Sequence, residues 1–413
     1  MKRQWLKVGS LAAMDQAWLS GLNFAISLVF IRYGEKADYG LYVILTSAVL
    51  LFQGVQNALL ASPFATIYPQ CDEVDRPRTV SSLVSGQCVL ILFSACLCAL
   101  GVLAYDAWNG RYGEFKLPIA IALMVVGALA REATRAYRYC IGEAGQALAG
   151  DVVYGVVIIA GLTLMLVSGN LRLVEVLLVI GVAGVVPLIG RALSRERLAL
   201  SCGTLFHAQF WRCGRWALVG VVASWFSLSF YPFVAGAAFG VSAAADLNAA
   251  RLFLMPVMLA IPVWSNLMRP RFSRWFHESR HDVMRRVSRL SIISITAALT
   301  LYFALMAAGY PWLEGLLGEK YRHLGALVGA WSLVVLLSAV RGMLMANLMV
   351  DEAGYRFLSR VSMIGIAVFL PAIFAAAYAR PLAIIYALAV VEALQLTLVA
   401  IRVGGYWKKV AHA

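Results

Sequence analysis

A carboxylate stands inside an apolar run. Asp15 lies within LAAMDQAWLSGLNFAISLVFIRYG, residues 11–34, a stretch long and apolar enough to cross a bilayer. Gln16, Ser20, Asn23 and Ser27 follow it at i, i+4, i+7 and i+11, so they share one face of a helix. Arg131, Arg341 and Glu392 interrupt other apolar segments in the same way. An ionised side chain at the bilayer centre costs about 2.5–3.5 kcal/mol on insertion scales, so such residues face protein or water. Three uses are open to them. A buried acid such as Asp15 or Glu392 can carry a proton or a sodium ion. An arginine fork facing a cavity can receive a phosphate. Or the charges pair, Asp15 with Arg131 and Glu392 with Arg341, and simply hold helices together. Glu175, Arg191 and Asp151 fall near predicted helix ends, where side chains reach the headgroups. They read as structural.

Further polar residues recur on the same kind of face. The second apolar segment carries Thr46, Gln53 and Asn57. The seventh carries Gly220, Ser224, Ser227 and Tyr231, and the eighth carries Asn248, Arg251 and Asn266. Two readings stand: hydrogen bonds between helices, or a wet cleft whose walls are Asp15, Gln16, Asn23, Gln53, Asn57, Ser224, Arg251 and the arginines at 131 and 341. Pro63, Pro187, Pro232, Pro256, Pro262 and Pro371 lie within or near spans and mark possible kinks.

Other chemistry has no sequence support. No Walker A loop, HExxH helix or GxSxG elbow occurs. The seven cysteines are scattered and mostly lie in or beside apolar runs, without zinc-like spacing, and the five histidines do not cluster with them. The expectation is no cofactor and no metal.

The elements that carry these residues are helices. The 413 residues are 62% hydrophobic and 14% charged, far from the roughly 25% charged residues of a soluble domain. Twelve apolar segments are predicted: 8–31, 41–66, 80–104, 117–139, 146–168, 173–193, 216–239, 248–268, 288–309, 323–349, 359–378 and 382–402. Most of the 35 Lys and Arg fall on the N-terminal side of the membrane if the connections alternate. The asymmetry places both termini in the cytoplasm and accounts for most of the net charge of +14, leaving no need for nucleic acid as a partner.

The chain also repeats. Ala37-Asp38 is matched by Ala245-Asp246, Glu143-Ala144-Gly145 by Glu352-Ala353-Gly354, and Arg131 by Arg341, each pair about half a chain apart. Six helices per copy give a parallel repeat. The expectation is an all-α polytopic membrane protein. An N-terminal lobe spans 1–193, an amphipathic cytoplasmic linker 194–215, and a C-terminal lobe 216–413. The lobes are related by a pseudo-twofold along the membrane normal. The linker mixes arginines with Leu198, Leu205, Phe206, Phe210 and Trp211, as an interfacial helix does.

AAMDQAWLSGLNF (12–24) and ADYGLYVILTSAVLLFQGVQNALLASPF (37–64) resemble the N-terminal half of polysaccharide-transport proteins, the O-antigen-flippase-like family of the multidrug/oligosaccharidyl-lipid/polysaccharide flippase superfamily. The resemblance is sharpest over residues 8–65. It implies two six-helix lobes that open alternately to each face of a bacterial inner membrane. It implies outward movement of an undecaprenyl-pyrophosphate-linked oligosaccharide for surface or exopolysaccharide synthesis, alongside other polysaccharide-assembly proteins. It implies a cationic cavity and a functional charge in the first helix, here Asp15. Met14 precedes that residue where a basic one would match the lipid II flippases.

Three alternatives compete. An ion-coupled exporter of organic cations within the same superfamily would use Asp15 and Glu392 for H+ or Na+ coupling. A glycan polymerase or ligase needs a substantial outer loop, and the longest here is about a dozen residues (105–116). That argues for a transporter and against an enzyme. A sugar transporter of the major facilitator kind would show a glycine-framed basic motif after the second helix, where YPQCDEVDRPRTV stands instead.

Overall fold

In hydrocarbon, a backbone N–H or C=O without a partner costs several kcal/mol, so a chain this apolar must close its hydrogen bonds within helices. The computed structural model does so: every long element among its described residues is helical. These are residues 2–109, 116–192, 204–310, 315, 318–321, 324–350 and 352–411. Among the described residues nine helices are long and apolar enough to span a membrane, or ten if a bent pair counts as one span, and Leu173–Pro187 is a shorter apolar helix. The chain is a multi-pass α-helical membrane protein. Each of the twelve predicted segments falls on a helix, two of them broken.

The chain divides into two compact units, Met1–Trp225 and Phe226–Ala413. Of the expected linker, residues 194–203 lie outside the described residues, and 204–215 form the first turns of a helix, Thr204–Ser229.

The first unit contains α1 (Lys2–Tyr33), α2 (Lys36–Gln56), α3 (Ser62–Ile67), α4 (Arg76–Asn109), α5 (Lys116–Cys140), α6 (Ala144–Ser168), α7 (Leu173–Ala192) and most of α8 (Thr204–Ser229). A π-helical turn, Asn57–Ala61, joins α2 to α3. Helix α5 is the hub: 61% of its apolar stretch is buried, against 17% for α4. It meets α7 at glycines. A Cβ added to Gly181 would sit 2.7 Å from the Leu123 carbonyl carbon, and one on Gly184 would sit 2.5 Å from the backbone of Gly127. Small residues bring two backbones together where lipid offers no hydrophobic drive for association. Between α1 and α6, Gly155 does the same for Trp18, whose indole lies where a Cβ would stand. Helix α6 ends at Gly169, in the left-handed region at φ +68°, and its N–H closes on Leu166 O.

The second unit contains α9 (Tyr231–Phe239), α10 (Val241–Leu252), α11 (Met255–His277), α12 (His281–Ala308), α13 (Gly325–Ala346), α14 (Glu352–Ala376) and α15 (Pro381–Ala411). Its core includes Leu348, Leu358, Val361, Val399 and Val403, and beside them Phe272, Met284 and Ala346. Two proline positions become helix breaks. The segments Ala217–Ser229 and Tyr231–Phe239 meet at 43°, with Pro232 in the first turn of α9. Helix α10 ends just before Phe253, and α11 restarts with Pro256 in its first turn. The eighth pass therefore begins at Val241 rather than at 248, and it is interrupted.

Candidate functional site

The intramembrane charges collect in each unit separately. In the first, α1 brings Asp15 and Gln16, α5 brings Arg131, Glu132, Arg135 and Tyr139, and α6 brings Asp151 and Tyr154. Asp15 is fully buried and Asp151 nearly so. Arg135 Nε donates to Asp15 Oδ2 at 2.9 Å, and it stands 3.3 Å from Asp151 Oδ2, an ion-pair distance. Arg131 Nη1 donates to Asp151 Oδ1 at 2.7 Å. Tyr139 Oη donates to Asp15 Oδ2 at 2.8 Å. Arg135 also reaches Glu132 Oε2 and Gln16 Oε1, both at 3.5 Å. The Arg131 guanidinium lies 4.5 Å from the centre of the Tyr154 ring, and Trp18 Nε1 donates to the Asp151 backbone carbonyl at 2.9 Å.

This corrects the sequence expectation in two ways. Asp15 pairs with Arg135, one helical turn beyond Arg131. Arg131 pairs instead with Asp151, which lies seven residues inside α6 and not at a headgroup. The two buried aspartates and two arginines neutralise one another, yet Asp15 Oδ1 and Arg131 Nε are buried without hydrogen-bond partners among the described residues. Arg135, Tyr139 and Trp18 join this site without having been expected there from the sequence. The signal for Arg135 was its i+4 spacing from Arg131.

In the second unit, Arg341 and Glu392 form the expected pair. Arg341 Nε and Nη2 donate to Glu392 Oε2 and Oε1 at 2.7 and 3.0 Å, a bidentate fork. Arg341 Nη1 lies 3.2 Å from Met345 Sδ. The carboxylate is nearly buried.

Arg251 differs from every other intramembrane arginine named here. It lies ten residues along α10, roughly 15 Å from the start of that helix. No carboxylate is within ion-pair distance among the described residues. Its guanidinium rests by the Tyr231 and Trp331 rings, 5.9 and 5.5 Å from their centres. Those rings are fixed in turn: Tyr231 Oη donates to Asn248 Oδ1 at 3.2 Å, and Trp331 Nε1 donates to Leu247 O at 2.9 Å. Arg251 Nη1 donates to Leu228 O at 3.3 Å. That carbonyl is free for a covalent reason. Its helical partner would be the N–H four residues on, which is Pro232 and has none. One of five guanidinium donors thus caps a broken helix, and the other four meet no protein acceptor among the described residues.

The remaining expected residues are mostly open to their surroundings. Gln16, Asn23, Asn57 and Ser224 are exposed, and Gln53 is half-buried. Asn57 Oδ1 accepts from Ser62 Oγ at 2.9 Å across the π-helical turn, and Ser224 Oγ donates to Gly220 O. Ser27 is buried. The Asn266 side chain falls outside the described residues.

No family model matches the chain, and no curated protein does. Solved structures do. An inward-facing multidrug resistance MATE family transporter of the MOP superfamily superposes with a TM-score of 0.75 at 14% identity, over 94% of this chain and 95% of that one. The lipid II flippase MurJ, in an inward closed conformation, superposes with a TM-score of 0.73 at 11% identity, over 97% of this chain and 87% of that one. An outward-facing MATE transporter gives 0.55 at 14% identity, over 99% and 94%. At these identities the likeness is one of fold: the chain has the two-lobe helical architecture of these transporters. The structures it resembles are transporters and a lipid flippase, not enzymes.

Proposed function

We propose that the chain is a flippase. It carries an undecaprenyl-pyrophosphate-linked oligosaccharide from the inner to the outer leaflet of a bacterial inner membrane by alternating access, for surface or exopolysaccharide synthesis. The observation that carries this reading is Arg251: a cation inside a membrane pass which, among the described residues, has no carboxylate beside it and four donors to spare. A diphosphate supplies the charge and acceptors that this residue lacks. Exposed Gln16, Asn23, Asn57 and Ser224 are donors and acceptors for sugar hydroxyls. Arg131 and Arg341 are held by acids, so their part is secondary to that of Arg251.

A second reading, an ion-coupled exporter of multiple drugs or organic cations, is equally compatible with the neighbours. Its specific support is the buried Asp15 Oδ1, a carboxylate oxygen without a partner that a proton or sodium ion would satisfy. Glu392, bound at both oxygens, is the weaker coupling candidate.

Reconstituted vesicles separate the two. Outward movement of a labelled lipid-linked glycan, reduced about tenfold or more by Arg251→Gln, supports the flippase; a charge-assisted hydrogen bond is worth about 1.5–3 kcal/mol. Drug efflux that survives the same substitution, with no glycan movement by the parent protein, sinks it.

A further inference from the structure

We propose that a groove on the second unit binds one anionic phospholipid, with its phosphate at Arg285 and Arg289 and an acyl chain along the apolar floor. The inference rests on membrane residence and is independent of the cargo. The groove encloses about 520 Å³ and is walled by α12, α13 and α15, a volume within the roughly 300–1,000 Å³ of small-molecule sites. Arg285 and Arg289 stand four residues apart on one face of α12, and Ile292 and Ile293 continue that wall away from them. Leu344 comes from α13, and Gly404 and Trp407 come from α15. The lining thus runs from cationic to apolar along a single helix, the polarity profile of a phospholipid.

Three further observations favour this occupant. Neither arginine has an ion-pair partner among the described residues. Among the described spans α12 is the least covered, with only 6% of its apolar stretch buried, and Ile293 is 58% exposed, so the groove opens where lipid chains run. Gly404 leaves the floor open: a Cβ added there meets nothing within 4 Å. The polar groups of the lining are two arginines, Ser288 and the Trp407 indole N–H, with no side-chain amide or carboxylate among the described residues to read a sugar. That selects a small phosphate headgroup over a glycan, and Trp407 supplies the aromatic ring typical of a membrane interface.

The test uses the full chain in nanodiscs of phosphatidylcholine, with or without phosphatidylglycerol. Retained lipid is read by native mass spectrometry and stability by thermal unfolding. One phosphatidylglycerol should remain bound and raise Tm. Arg285→Gln and Arg289→Gln should each weaken the preference about fivefold, the worth of one basic residue near an anionic surface. Gly404→Leu should abolish retention with both arginines intact. Arg286→Gln, the adjacent cation outside the lining, should change nothing. The proposal is overturned if Arg286→Gln matches Arg289→Gln, which would make the effect diffuse charge. It is equally overturned if phosphatidylcholine is retained as well as phosphatidylglycerol, if glycerol phosphate alone gives the stabilisation, or if only a polyprenyl phosphate is retained. Variants that unfold at the parent's Tm in pure phosphatidylcholine are correctly folded, so loss of the phosphatidylglycerol shift is then specific.

Discussion

At the scale of single residues, the buried charges in the first unit form a balanced set hinged on Arg135. Its Nε serves Asp15 and lies beside Asp151. Arg135→Met leaves a buried carboxylate uncompensated, and breaking such a pair costs about 3–5 kcal/mol. The expected result is a large fall in Tm or denaturant midpoint of the purified protein, partly restored by adding Asp15→Asn. Strictly additive losses in that double-mutant cycle would show that the two residues do not interact. The pair shows how far spacing alone reaches. The sequence named the acid and placed its partner on the correct face of the correct helix, but Arg131 and Arg135 are both on that face. Only the depth of α6, which carries Asp151 to Arg131, decides between them. The Arg341–Glu392 pair was readable because one cation and one acid were available. For Arg251 the comparison is with Arg251→Lys. A single ammonium cannot both cap Leu228 O and present a planar fork. Glycan movement should stay low in that variant although its charge is kept, and full rescue by lysine would argue against fork recognition.

At the scale of elements, glycines and prolines decide the geometry. Gly181→Val pushes a side chain into the Leu123 backbone, where overpacking costs about 1–3 kcal/mol. Gly101→Val, on the lightly covered α4, meets nothing within 4 Å and should leave stability within about 0.5 kcal/mol of the parent. Equal Tm values for the two would remove the close α5–α7 approach as a source of stability. Pro232→Ala restores an N–H to Leu228 O, so the 43° bend should relax and release Arg251 from its cap. Spin labels at Val219 and Ala238 would report this as a longer distance, and an unchanged distance would absolve the proline. Prolines marked both breaks from sequence, since a missing N–H is a local covalent fact. The close glycine contacts were not legible, because they depend on which helix lies opposite. The repeat adds a contrast: Arg131 and Arg341 occupy matching helices, yet one takes its acid from α6 and the other from α15.

At the scale of the whole molecule, hydropathy carried most of the information. All twelve predicted segments fall on helices, because the bilayer imposes one length and one kind of hydrogen bonding on every pass. The π-helical turn after α2, and the start of the eighth pass at Val241, needed coordinates. Orientation remains a prediction from charge. Reporter fusions should find residue 110 on the outer face and residue 143 on the cytoplasmic face, and the reverse pattern would invert the inside-positive assignment. The Asp15–Arg135 bond also has a consequence for biosynthesis. Its partners are 120 residues apart in the chain, so at about 5–20 residues per second the carboxylate is made roughly 6–24 s before its counter-charge. The first helix must therefore be sheltered by the insertion machinery, or stay shallow, until the fifth emerges from the ribosome. Nascent chains truncated after α4 should cross-link to an insertase through α1 for longer than chains truncated after α5, and Asp15→Asn should erase that difference.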